Sequence, residues 1–186
     1  MSGTETHREA LERLSRAAEC AGLSYAVIGG IAVILRGHDR TTVDLDAVML
    51  DLDERLDKFI AALQDNGLSF RVPNGREFAR RHRVLLLVSA NQTQVDLSMG
   101  FLPFEVETVQ RSSLLDLGNG LRVPVASVED LIIMKLVAGR PRDFQDIEAL
   151  KELYPDLDRK RIRTVVTDYA ELLENPEMIK ELDARI

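Results

Sequence analysis

Two aspartates one residue apart, Asp44 and Asp46, sit in the stretch Tyr25 to Leu50, YAVIGGIAVILRGHDRTTVDLDAVML. The stretch reads as a short apolar strand, a Gly29-Gly30 turn, a short helix, a polar loop and a second strand carrying both acids. Strand side chains alternate, so Asp44 and Asp46 point one way and Val43, Leu45 and Ala47 the other. A fold that accepts this strand needs one packed face and one face where charge is tolerated. Neighbouring carboxylates also repel each other's charge. A divalent cation relieves that cost, and hard oxygen donors suit Mg²⁺ or Mn²⁺. The pattern points to a divalent-cation site, although as residues alone a D-x-D strand is equally a solvated face.

The flanking sequence predicts a mixed α/β arrangement. Thr6 with Glu9 is a capping-box start, and Leu11, Leu14 and Ala18 mark one face of a helix ending near Gly22. Strands are predicted over Ser24 to Ile28 and Thr42 to Leu50, with a short helix over Ile31 to Leu35 between them. Asp53 opens a helix through Leu56, Phe59, Ile60 and Leu63 that closes at Asn66-Gly67. Leu68 to Val72 is a short strand. Val84 to Ser89 and Thr93 to Met99 form a hairpin around Ala90-Asn91-Gln92. Phe101 to Leu117 has no clear period, and Leu121 to Val125 is a last strand.

From Ser127 the chain turns helical. Ser127 with Asp130 is a second capping box, and the helix stops at Gly139. Pro141 suits the first turn of the next helix, to about Tyr154. Ile162, Val165, Val166, Tyr169, Leu172 and Leu173 mark another, and a short helix follows Asn175-Pro176. The expected architecture is α+β: a mixed β-sheet core flanked by helices over 1–126, and a helical region over 127–186 that completes the active-site cleft.

Several other residues are candidates for the chemistry. Gly29-Gly30 lets the backbone approach a ligand closely and aims amide N–H groups at phosphate; it also serves any tight strand-to-helix turn. Arg36, His38 and Arg40 fill the loop before the acids and could contact phosphates or form loop salt bridges. Asp96 shares a strand face with Gln94 and Ser98. If its strand neighbours that of Asp44, three carboxylates converge as a clamp for two metal ions, used for in-line displacement at phosphorus. Asp96 is also a candidate general base. Lys135 is the one cation in the apolar run Leu131 to Ala138, where an ammonium needs a partner. Asp143 and Asp146 share a helix face and can pair with Arg140 or Arg142. The basic run Arg76, Arg80, Arg81, His82 and Arg83 is either a solvated helix face or a grip for acceptor phosphates.

The succession G-G, R-G-H-D-R-T-T-x-D-L-D and a later V-D-L resembles the DNA polymerase β-type nucleotidyltransferase superfamily. The block S-V-E-D-L-I-I-M-K-L-V-A-G-R-P-R-D-F-Q-D-I is similar to small members related to the AbiEii-type toxins, in which a Lys precedes an R-x-x-D-x-x-D segment. The resemblance covers Tyr25 to Leu150. It implies transfer of a nucleoside monophosphate from an NTP, with pyrophosphate released. It implies that Gly29 and Gly30 line the triphosphate and that Asp44 and Asp46 bind Mg²⁺. Lys135 would reach the triphosphate, with Arg140 and Asp143 organising that side. A toxin-like member would modify an RNA, at the 3′ end or acceptor stem of tRNA, and be restrained by an antitoxin protein. A resistance-type member would adenylylate an aminoglycoside or lincosamide, and a degenerate member would only bind. Where much of the superfamily has Gly-Ser at the turn, this chain has Gly-Gly.

A formal net charge of -7 disfavours nucleic acid except at a local basic patch, and 5% aromatic content disfavours an aromatic-lined drug site. The single cysteine, Cys20, excludes an intrachain disulfide and is read as a packing residue of the first helix. With a polar N-terminus and no apolar span, the expectation is a cytoplasmic protein without membrane contact.

Overall fold

The computed structural model describes residues 3–186, with side chains from His7 onward. The described residues divide into two compact units, one of residues 3–35 and 40–126 and the other of residues 36–39 and 127–186.

The first unit is built on a seven-stranded mixed sheet. Its strands are β1 (Tyr25–Ile28), β2 (Asp44–Met49), β3 (Leu68–Phe70), β4 (Val84–Ser89), β5 (Gln94–Met99), β6 (Ser113–Asp116) and β7 (Arg122–Val125). Their order is β3-β4-β5-β2-β1-β7-β6. β2 runs parallel to β5 and β1 parallel to β7, and the other neighbours are antiparallel. Its helices are α1 (Gly3–Ala21), α2 (Gly29–Leu35), α3 (Leu52–Asp65), α4 (Gly75–His82) and α5 (Pro103–Arg111).

The alternation read from the sequence becomes two unlike sheet faces. Leu45, Ala47, Leu85, Leu87, Val95 and Leu97 all lie on one face and are fully buried. α1 and α3 pack together and cover this face with Leu11, Leu14, Leu56, Phe59 and Leu63. Each such side chain contributes about 1.5–3 kcal/mol of burial, so this face carries most of the unit's stability. The opposite face carries Asp44, Asp46 and Asp96, all only half-buried. α5 closes part of it, where Val109 packs on Ala26 and Val48 with Ile28 and Leu50 beside them.

Three local expectations change. The Thr6 side chain lies outside the described side chains, and α1 already begins at Gly3 rather than at a Thr6 cap. Cys20 is exposed, because the packed side of α1 is the one bearing Ala17, Ala18 and Ala21. The unassigned Phe101 to Leu117 stretch holds α5 and the edge strand β6.

The second unit contains α6 (Val128–Ala138), α7 (Pro141–Leu153), α8 (Arg159–Leu172) and α9 (Glu177–Arg185). Ser127 caps α6 by accepting the Asp130 N–H at 3.1 Å, and Gly139 ends it at φ 63°. α6 is apolar on nearly every side because α7, α8 and α9 all pack against it. Its one buried carboxylate, Asp130, takes a two-point contact from Arg161 of α8 at 2.9 and 3.1 Å. Residues 36–39 belong here: the Tyr154 hydroxyl donates to the Arg36 carbonyl at 2.9 Å. No helix among the described residues is long and apolar enough to cross a membrane.

Candidate active site

β2 presents Asp44 and Asp46 at the mouth of the half-open face. The Thr42 hydroxyl donates to Asp44 Oδ1 at 3.0 Å, which fixes that carboxylate from its own strand. Ile28 pairs with Asp46 across β1 and β2, so the Gly29 turn emerges directly beside the Asp46 carboxylate. Gly29 has φ +65°, and a Cβ there would overlap Asp46 Oδ2. At Gly30 a Cβ would come within 2.6 Å of Thr42 Oγ1, and the Arg40 guanidinium passes close by. Space therefore demands glycine at both positions, and backbone conformation demands it at Gly29 as well.

Asp96 lies on β5, directly opposite Asp46 in the parallel register, while Asp44 pairs with Gln94. The Asp96 carboxyl is pushed above the usual carboxylate range, chiefly by burial; Arg71 pulls it down and the nearby Asp44 charge pushes it up. Arg71, just beyond β3, reaches over Leu86 and grips both Asp96 oxygens, Nη1 to Oδ1 at 2.7 Å and Nη2 to Oδ2 at 3.0 Å. The sequence reading overlooked Arg71. Its signal was weak: a lone arginine two strands from Asp96, separated from the basic run by Pro73-Asn74-Gly75.

Among the described residues no three His, Cys, Asp or Glu side chains form a ready-made metal cage. Mg²⁺, however, commonly binds through one or two carboxylates and completes its shell with water and phosphate oxygens. Asp44 and Asp46 are such a pair, and the missing Cβ at Gly29 leaves Asp46 Oδ2 its space. The donor set fits a hard divalent ion.

The helical unit holds the second group of candidates. Lys135 on α6 is 6% exposed, and its ammonium contacts Asp146 Oδ2 at 2.5 Å and Asp143 Oδ1 at 3.2 Å. These two α7 carboxylates thus share Lys135. His38 Nε2 lies 3.8 Å from Asp146 Oδ1. The Arg140 side chain is exposed, and its backbone N–H donates to Asp143 Oδ2 at 3.3 Å. Arg36 is half-buried, and desolvation lowers its pKa against the opposing pull of Tyr154 and Glu129.

The basic run lies elsewhere. Gly75 of α4 abuts the Phe70 ring, and Phe70 pairs with Leu87 on the buried face of the sheet. Arg76 pairs with Asp57 and Arg83 with Asp53, tying α4 to α3. The run therefore stands behind the sheet from the carboxylates.

Comparison with known proteins gives a family and a fold. The model of a family described as nucleotidyltransferase of unknown function (DUF6036) matches residues 7–184. No curated protein sequence matches. Among solved structures, the antibiotic-resistance factor ANT(2″)-Ia in solution is 18% identical with TM-score 0.61, over 92% of this chain and 96% of that one. ANT(2″)-Ia in complex with adenylyl-2″-tobramycin is 16% identical with TM-score 0.60, over 91% and 99%. An antigenic nucleotidyltransferase-like protein from Paracoccidioides brasiliensis is 18% identical with TM-score 0.55, over 100% and 95%. At such identities the likeness is one of fold.

Proposed function

The chain belongs to the DUF6036 family of nucleotidyltransferases, and on that premise we propose that it moves a nucleoside monophosphate from an NTP to an acceptor hydroxyl, releasing pyrophosphate. The observation that carries this reading is the convergence of Asp44, Asp46 and Asp96 on one sheet face beside the Gly29-Gly30 turn. Asp44 and Asp46, with Asp96 as a third donor, would hold Mg²⁺ or Mn²⁺. The bound ion supplies charge neutralisation for the phosphates.

The chain's own residues supply the rest. Gly29 and Gly30 give the triphosphate backbone amides without side-chain obstruction. Arg40 adds a donor for the phosphate oxygens. On the acceptor side Asp96 takes the hydroxyl proton. The acceptor oxygen bonds to the α-phosphorus, the bond to the bridging oxygen breaks, and pyrophosphate leaves with that electron pair.

Two acceptor classes follow. One is RNA, with tRNA as the substrate and an antitoxin protein as the restraining partner. The other is a small polyhydroxylated molecule such as an aminoglycoside; it is favoured by the near-complete mutual coverage with ANT(2″)-Ia, one of whose structures holds an adenylylated tobramycin. The test is incubation with Mg²⁺ and each labelled NTP, with total tRNA or with a panel of aminoglycosides and lincosamides, against Asp44→Ala. Label on one acceptor, abolished by the substitution, identifies the class. Absence of label on any acceptor leaves a binding module and overturns the transferase mechanism.

A further inference from the structure

We propose that Arg71 is the positioning residue for Asp96, holding that carboxylate by a two-point grip from two strands away so that a free lone pair meets the acceptor hydroxyl. The inference rests on the reading of Asp96 as the acceptor-side base.

Three observations combine. The first is where Arg71 is anchored. Its backbone N–H donates to the Leu86 carbonyl at 3.0 Å, extending the β3–β4 ladder by one residue, and Leu86 is the register partner of Asp96. The guanidinium thus crosses one strand in a straight row from Arg71 over Leu86 to Asp96 and Asp46. The second is the fork. Two parallel N–H bonds at 2.7 and 3.0 Å fix the plane of the carboxylate as well as its position, which a single contact cannot do. Side chains only 24% and 27% exposed leave water limited room to compete.

The third is what the fork opposes. Asp46 faces Asp96 in register, and the Asp44 charge also bears on it. Unrestrained, the Asp96 carboxylate would rotate away from two like charges. An ionised carboxylate offers about four lone-pair sites, so the fork leaves one on each oxygen. One of those sites takes the acceptor proton and the other is left for the ion, while Arg71 itself forms and breaks no covalent bond. A lysine would keep the charge and lose the plane.

The experiment compares steady-state kinetics of wild type, Arg71→Met, Arg71→Lys, Asp96→Asn and the Arg71→Met/Asp96→Asn pair, on the acceptor found with labelled NTP. Thermal midpoints confirm folding. Expected for Arg71→Met is a kcat about 100-fold lower with KM for the NTP changed less than about twofold, the mark of lost orientation on the acceptor side only. Arg71→Lys should recover no more than about tenfold of that loss, because its point charge lacks the fork. The double variant should be no slower than Asp96→Asn alone, since the two residues act as one unit. A wild-type kcat in Arg71→Met or Arg71→Lys, or losses that multiply in the double variant, overturns the assignment. Should Arg71→Met not fold, Arg71→Lys decides alone, through the same kcat and KM. If wild type labels its acceptor, Asp44→Ala does not, and Arg71→Met matches wild type, only the role of Arg71 fails. If wild type labels nothing, the transferase mechanism fails first and this inference with it.

Discussion

The α-carbon of Gly29 lies so close to the Asp46 carboxylate that any side-chain atom there would occupy the space of Oδ2. The residue that turns the chain out of β1 therefore also sets where the β2 acid can stand. Gly29→Ala meets two penalties: left-handed strain at φ +65°, about 1 kcal/mol, and displacement of Asp46. Expected is a stability loss of about 2 kcal/mol in urea denaturation together with loss of transfer. Gly118→Ala is the control, with φ +79° and open space around it. It should lose only about 1 kcal/mol and transfer normally. Equal activity in the two variants would remove Gly29 from the site.

Two carboxylates on one strand face should make the metal visible in stability. With Mg²⁺ and a non-hydrolysable NTP at about 100 times their dissociation constant, linkage contributes about 2.7 kcal/mol and raises the thermal midpoint. Asp46→Asn should lose that rise. A full Mg²⁺-dependent rise in Asp46→Asn would place the ion on other ligands. Chelator should reverse the rise in wild type.

Much of the sheet is legible from periodicity because its two faces are chemically opposite. Leu45, Val95 and Leu97 alternate with polar neighbours, a period-2 pattern that marks β2 and β5 in the bare sequence, while β4 shows as the short apolar run Val84 to Val88 whose alternation appears only in its burial. α5 and β6 escape that reading for a physical reason. α5 buries only Thr108 and Val109, and β6 is an edge strand on which Leu114 is 62% exposed, so neither leaves a period in the sequence. Side-chain partnerships are harder still. The sequence shows Asp96 on a strand, but Arg71 becomes its partner only once the β3–β4–β5 register is set. Asp143 and Asp146 look like partners for the nearby arginines, and the structure adds one the sequence does not show, Lys135, brought from α6 by helix packing.

That buried cluster makes its own prediction. Lys135 and Asp146 are 6% and 2% exposed, so removing Asp146 takes the nearer of two counter-charges from a poorly solvated ammonium and leaves it Asp143 alone. Asp146→Ala should cost about 3 kcal/mol or more in denaturant unfolding. Arg140→Ala, at an exposed position on the same segment, should cost less than about 0.5 kcal/mol. An Asp146→Ala protein as stable as wild type would mean that Asp143, already paired with Lys135 at 3.2 Å, suffices as its counter-charge.

The position of α4 separates phosphate chemistry at the site from electrostatics behind the sheet. Arg80 and Arg81 are exposed on a helix whose first residue packs against Phe70, on the face opposite the three carboxylates. An exposed cation is screened over about 8 Å at physiological salt, and the sheet stands between. Arg80→Ala/Arg81→Ala should therefore leave KM for the NTP and kcat on a small acceptor within about twofold of wild type, and stability within about 0.5 kcal/mol. A large RNA acceptor is a different matter, because it can extend past the β3 edge and reach both faces. With RNA, the double substitution should weaken binding and reduce the slope of log K against log salt by up to about 1.8, roughly 0.9 for each phosphate no longer neutralised. A changed NTP KM would mean that α4 reaches the nucleotide and that the two faces are not electrostatically independent.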